Sequence, residues 1–184
     1  MRRTRGPLCT GAASILLLVA ILPAAAAENS SEITQTNTGN TATVNQTLLG
    51  RTDNISRIEQ ISTGAIGNSA SVTQTIEDSL PTGNGSVNSS LILQEGSGNS
   101  ATVTQSALDR ADNGNKPAPP PFGSRIDQTG NDNIATVNQS ATNRGDNRSR
   151  IFQSGDDNRT DVIQIANTVP ATGRDNRSIV RQDG

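Results

Sequence analysis

Residues 124–139 read "SRIDQTGNDNIATVNQ". Ser124, Ile126 and Gln128 stand two apart, and so do Asn133, Ala135, Val137 and Gln139, with "TGND" between the two runs. A period of two marks a β-strand with one constant face, and a short Gly-containing link marks a turn. The stretch therefore encodes strand, turn and strand. What it means for the fold depends on whether the rest of the chain repeats it.

The pattern N-x-[S/A]-x-[I/V]-x-Q recurs along the chain. The copies are Asn29, Ser31, Ile33, Gln35; Asn40, Ala42, Val44, Gln46; Asn54, Ser56, Ile58, Gln60; Asn68, Ala70, Val72, Gln74; Asn88, Ser90, Ile92, Gln94; and Asn99, Ala101, Val103, Gln105. Ser124, Ile126 and Gln128 follow, with Phe122 in place of Asn, and then Asn133, Ala135, Val137, Gln139. The last copies are Asn147, Ser149, Ile151, Gln153; Asn158, Thr160, Val162, Gln164; and Asn176, Ser178, Val180, Gln182. A Ser–Ile half alternates with an Ala–Val half. The eleven copies thus make five and a half units, at 29–46, 54–74, 88–105, 122–139, 147–164 and, as the half unit, 176–182. Internal repetition at this period indicates a solenoid.

Composition alone would point elsewhere. Hydrophobic residues are 31% and aromatics 1% of 184 residues, with no Trp, Tyr or His and one Cys. Such a chain would ordinarily be read as disordered. The repeat overturns that reading, because disorder does not require it. Proline placement agrees: Pro81, Pro117, Pro119, Pro120, Pro121 and Pro170 fall between copies, where no ladder bond is lost. The links between units run as long as "SALDRADNGNKPAPPP" at 106–121, as a stack with loops on one edge tolerates.

The expected fold is all-β. It is a β-solenoid of stacked strand–turn–strand β-arches, about five and a half repeats, cross-β on assembly. Inner faces would meet about 10 Å apart and layers would repeat at roughly 4.8 Å, for a height of about 26 Å. Stacking places the Asn and Gln of every copy over one another as amide ladders, which gives these buried polar groups their partners. The Ile and Val of every copy form an aliphatic stripe between the amides. Arg57, Glu59, Arg125, Asp127, Arg148 and Arg150 face outward as gatekeepers. Arg125, Arg148 and Arg177 are expected to stack as like charges that slow layering at low salt.

Residues 1–27 read as an export signal. Arg2, Arg3 and Arg5 precede an apolar run from Ile15 to Leu22 that is too short to span a bilayer, and "PAAAAE" suits cleavage after Ala27. The segment is set aside from fold reasoning, leaving 28–184 as the repeat domain. Without its three Arg, twelve basic residues face seventeen acidic ones, a net charge of −5. That does not suggest a nucleic-acid binder, and no basic patch interleaves with aromatics. Cys9 leaves with the leader, so neither disulfides nor thiolate metal sites are available. No cofactor is expected, and an enzyme is not expected without His or Cys. Asp156 and Asp157 in "SGDDN" read as a turn rather than a calcium site. Lys116, the one lysine, sits in the Pro-rich loop.

The fused unit S-x-I-x-Q-x-G-x-x-N-x-A-x-V-x-Q resembles the curlin repeat of bacterial curli, over residues 29–184. The resemblance implies a secreted functional amyloid, a pilus-like cell-surface fibre (fimbrium) serving cell adhesion, aggregation and biofilm matrix. It implies as partners further copies, a sister subunit, an outer-membrane secretion pore and periplasmic chaperones. Arg174, Arg177 and Arg181 resemble the basic final repeat of the family's nucleator, while Asp175 and Asp183 dilute that signal, so major subunit and nucleator both stay open. The repeats run from Asn29 to Gln182 with no capping segment visible, and head-to-tail polymerisation is expected. The alternative is a non-polymerising solenoid that binds ice or polysaccharide through outward Thr41, Thr43, Ser71, Thr73, Thr102, Thr104 and Thr136.

Overall fold

The computed structural model describes residues 14–21, 29–49, 53–77, 87–108, 123–142, 146–167 and 175–184. These form β1 (Ser14–Ile21), β2 (Asn29–Thr36), β3 (Thr41–Leu49), β4 (Asp53–Ser62), β5 (Ser69–Glu77) and β6 (Val87–Ser97). They continue as β7 (Ser100–Leu108), β8 (Ser124–Asn131), β9 (Ile134–Thr142), β10 (Asp146–Ser154), β11 (Arg159–Asn167) and β12 (Asp175–Asp183). Odd strands make one six-stranded sheet, ordered β1-β3-β5-β7-β9-β11 (sheet A), and even strands the other, β12-β10-β8-β6-β4-β2 (sheet B). Neighbours within each sheet are parallel. Consecutive strands alternate between sheets while strands two apart pair, so the chain winds as a β-solenoid.

Register is the identity register of the repeat. Ile58 pairs with Ile33 and Ile92, Gln94 with Gln60 and Gln128, and Val72 with Val44 and Val103. A slip by one residue would turn the whole apolar stripe to solvent, which is why the pattern specifies register so strongly. Between the sheets lies one core of Ala42, Val44, Ile58, Ala70, Val72, Ile92, Ala101, Val103, Ile126, Ala135, Val137, Ile151 and Val162, with Ile33 and Val180 half-buried at its ends. These side chains are short because the two sheets leave room for little more than one Ile against one Val per layer.

The arch turns follow a local rule. Two residues per turn take positive φ in four of them: Asn37 and Gly39, Gly96 and Gly98, Gly130 and Asp132, Gly155 and Asp157. Asn37 fills the first position in the β2–β3 turn, but Gly130 is needed there for a second reason, since a Cβ on it would run into the carbonyl of Gly155 in the next layer. The second accepts Asp, which tolerates left-handed backbone better than most residues. The "ND" and "DD" of these turns are thus conformational choices. The Asp156 carboxylate accepts from the backbone and side-chain N–H groups of Asn131, at 2.9 and 3.0 Å.

One strand lies outside the repeats. Ser14–Ile21, inside the segment read as an export leader and set aside from the fold, pairs in parallel with β3 from Ser14↔Thr41 to Ile21↔Leu48. A β-branched and aliphatic run forms strands readily, and β3 offers it a full row of backbone partners. The basic leader start, Cys9, the expected cleavage position, Lys116, Phe122, Arg174 and the six mature prolines lie outside the described residues.

Candidate functional site

The feature with functional content is the interior polar array. In sheet B the Gln side chains form a continuous directional chain. Gln35 Nε2 donates to Gln60 Oε1 at 2.8 Å, Gln60 to Gln94 at 2.8 Å, Gln94 to Gln128 at 2.8 Å, Gln128 to Gln153 at 2.9 Å and Gln153 to Gln182 at 2.9 Å. Sheet A carries a second chain, Gln46 to Gln74 to Gln105 to Gln139 to Gln164, at 2.8, 2.8, 3.0 and 2.7 Å. Both run the same way along the stack.

A Gln amide has two N–H groups, and in Gln46, Gln60, Gln74, Gln94, Gln105, Gln128 and Gln153 one continues the ladder while a bond also crosses the core. Gln60 Nε2 donates to the Thr41 carbonyl at 3.1 Å and Gln94 to Ser69 at 3.1 Å, so sheet B is tied to the start of each sheet A strand. From the other side Gln74 reaches the Ile55 carbonyl and Gln105 the Ser89 carbonyl, both at 3.0 Å. Repetition in the sequence signalled stacking along the ladder and carried no sign of this bond across it.

The Asn residues divide into two kinds. On sheet B they ladder side chain to side chain: Asn54 Nδ2 to Asn29 Oδ1 at 2.9 Å, Asn88 to Asn54 at 3.1 Å and Asn176 to Asn147 at 3.1 Å. The copy between those of Asn88 and Asn147 has Phe122 in place of Asn in the sequence, outside the described residues. Asn40, Asn68, Asn99, Asn133 and Asn158 instead sit in the turns just before their strands. There the Oδ1 of Asn40, Asn68, Asn99 and Asn133 accepts the backbone N–H of the next layer's Asn, at 2.8 to 3.1 Å. Asn99 and Asn133 Nδ2 each hold a turn carbonyl of the following layer at 2.8 Å. The turn Asn thus splices arch to arch, with an amide–amide contact only at Asn133 to Asn99, 3.1 Å.

A further stripe escaped the motif. Leu48, Ile76, Ala107, Ala141 and Ala166 form a separate buried cluster in mutual register. Each lies two residues beyond the Gln of an Ala–Val copy. Extending the alternation by one step would have found them.

The Gln ladders have unlike ends. At the β2–β3 end the buried atoms Gln35 Oε1 and Gln46 Oε1 have no hydrogen-bond partner among the described residues. At the other end Gln164 and Gln182 accept along the ladder and donate across the core to the Arg148 and Arg159 carbonyls at 3.1 Å, with Gln182 Oε1 also accepting from the Thr160 hydroxyl. One end offers carbonyl oxygens and the other N–H groups, since an amide receives through oxygen and gives through nitrogen.

The outer faces differ in chemistry. Sheet B carries charge, with Arg57 between Glu32 at 3.5 Å and Glu59 at 3.7 Å, Arg125 on Asp127 at 2.7 Å, and Arg125 over the Phe152 ring at 5.7 Å. Register corrects the expected Arg stack. Arg148 pairs with Arg177 and Arg150 with Arg125, so Arg125 does not align with Arg148. The spacing from Gln decides this: Arg125 and Arg150 both lie three residues before it, Arg148 and Arg177 five. Ser89 and Leu91, at outward positions of β6, are buried. Sheet A presents columns Thr43–Ser71–Thr102–Thr136 and Asn45–Thr73–Thr104–Asn138, ended on β11 by Asp161 and Ile163.

A family model described as the curlin associated repeat matches residues 84–106, the arch of β6 and β7. The match supports the resemblance to curlin repeats noted from the motif. No curated protein and no solved structure matches the chain.

Proposed function

We propose that this chain is the structural subunit of a secreted, curli-like functional amyloid fibre, polymerising head to tail and serving adhesion, aggregation and biofilm matrix. The observation that carries the reading is the pair of Gln ladders that run the same way and end unlike. A head-to-tail junction continues a directional ladder. A two-fold junction sets donor against donor or acceptor against acceptor. The curlin-repeat match at 84–106 supports the same class of protein, a structural amyloid subunit rather than an enzyme.

Export follows as part of the proposal: residues 1–27 direct secretion, and an outer-membrane pore, periplasmic chaperones and a sister subunit serve the assembly. In the structure β1 occupies the outer edge of β3, so loss of the leader opens that edge. The test is amyloid-dye kinetics of the chain freed of residues 1–27, with and without seeds, together with fibre diffraction. Seeding that removes the lag and a meridional reflection near 4.7–4.8 Å are expected. A chain that stays monomeric at high concentration would overturn the reading.

A further inference from the structure

The outer face of sheet A is uncharged over its hydroxyl and amide columns, whereas sheet B displays Arg57, Glu59, Arg125, Asp127 and Arg150. Sheet A also carries exposed aliphatics, as sheet B does at Ile55 and Ile179. Leu49, Ile134, Ile163 and Ile165 all point outward from sheet A, the last two 68% exposed. Ile163 and Ile165 stand on this free face where the neighbouring strand has Asn138 and Ser140. We infer that the outer face of sheet A is a lateral docking surface for the same face of a second copy of this chain in a neighbouring fibre. The inference rests on the assembly reading above and goes beyond it by naming which face joins fibre to fibre.

Three properties favour that occupant. The hydroxyl and amide columns of two like faces carry no charge and do not repel each other, while two sheet B faces would have to match a mixed pattern of ions across their middle. Small side chains in register let two sheets approach to about 10 Å and exclude water, as in a dry zipper. The area explains why pairing belongs to fibres. Five strands about 4.8 Å apart and roughly 30 Å long give a footprint of roughly 700 Å². That is below the ~800 Å² per partner of a stable complex, and most of it is small polar groups. One pair of subunits therefore holds weakly, whereas stacked subunits engage together and multiply the contact without new chemistry. Glu77 at the end of β5 and Arg159 and Asp161 on β11 interrupt the face in each subunit.

The experiment grows fibres from the full mature sequence and images them by electron microscopy. Wild type should form laterally paired fibres. Thr104→Lys with Ile163→Lys, both on the sheet A face, should give single fibres roughly half as wide, since one sheet-to-sheet contact is lost. Seeded elongation should stay within about twofold of wild type, because an exposed substitution leaves most of the stack unchanged. Thr34→Lys on the sheet B face is the control and should leave the pairs intact. All three additions move the net charge of −5 toward zero, which by itself would promote association, so dispersal runs against the general trend. Wild-type fibres that are single, sheet A variants that still pair, or a control that disperses equally would each overturn the docking face. Absence of any fibre from wild type would instead overturn the assembly reading together with it.

Discussion

Gln60 shows how much one side chain does. It accepts from Gln35, donates to Gln94 and donates across the core to the Thr41 carbonyl. Gln60→Ala orphans an N–H of Gln35 and the Oε1 of Gln94, each at about 1–3 kcal/mol, so about 2–5 kcal/mol should be lost in urea unfolding of the soluble chain. Gln60→Ala with Gln94→Ala again orphans one group at each end of the gap. The double variant should therefore cost clearly less than the sum of the singles; strict additivity would argue against a ladder. Gly130 is the second sensitive residue, at φ +111° with its α-carbon against the next turn. Gly130→Ala combines backbone strain with a steric clash and should lower stability by about 2–5 kcal/mol in the same measurement. A cost near zero would mean that the turn relaxes freely.

At the level of the strand, the parallel identity register makes every outward residue a neighbour of its counterpart. For Arg148 and Arg177 the result is a like-charge pair on β10 and β12, worth about 0.2–1 kcal/mol of repulsion at low salt. Added salt should shorten the assembly lag, because the Debye length falls to about 3 Å at 1 M, and the response should shrink in Arg177→Ser, the in-register Arg125 and Arg150 keeping the rest. A salt response unchanged by the substitution would place the repulsion elsewhere. The strands themselves were largely legible in the motif. Their ends were less so, because Leu48, Ile76 and Ala107 continue the burial pattern beyond the repeated letters. The turn Asn residues lie just outside strands that the motif would have included.

For the molecule as a whole, β1 is the element that bears most on assembly. Its Val19 stands in register with Gln46, whose Oε1 has no partner among the described residues. β1 covers the edge of β3. Chain freed of residues 1–27 should elongate seeds faster than the full chain, by on the order of tenfold if the covered state holds nine-tenths of the population. Hydrogen exchange at β3 should show the matching loss of protection in the freed monomer. A slower freed chain would make β1 a lasting member of the stack.

Period-two repetition, Gly-marked turns and the constant Asn, Ala or Ser, Ile or Val and Gln letters determined by themselves that this chain stacks arches in identity register. They did so because alternation is a local property and identical letters at fixed spacing leave one register that keeps the aliphatic stripe inside. Tertiary structure alone decided where each amide's second N–H goes, which Arg meets which, and what occupies the edge of β3. Those depend on the distance between two sheets, on residue count from the paired Gln, and on an edge that any strand-forming segment can satisfy. The direction of the Gln ladders belongs to this second group. Either direction satisfies the repeated letters, and only the three-dimensional arrangement places acceptors at one end and donors at the other.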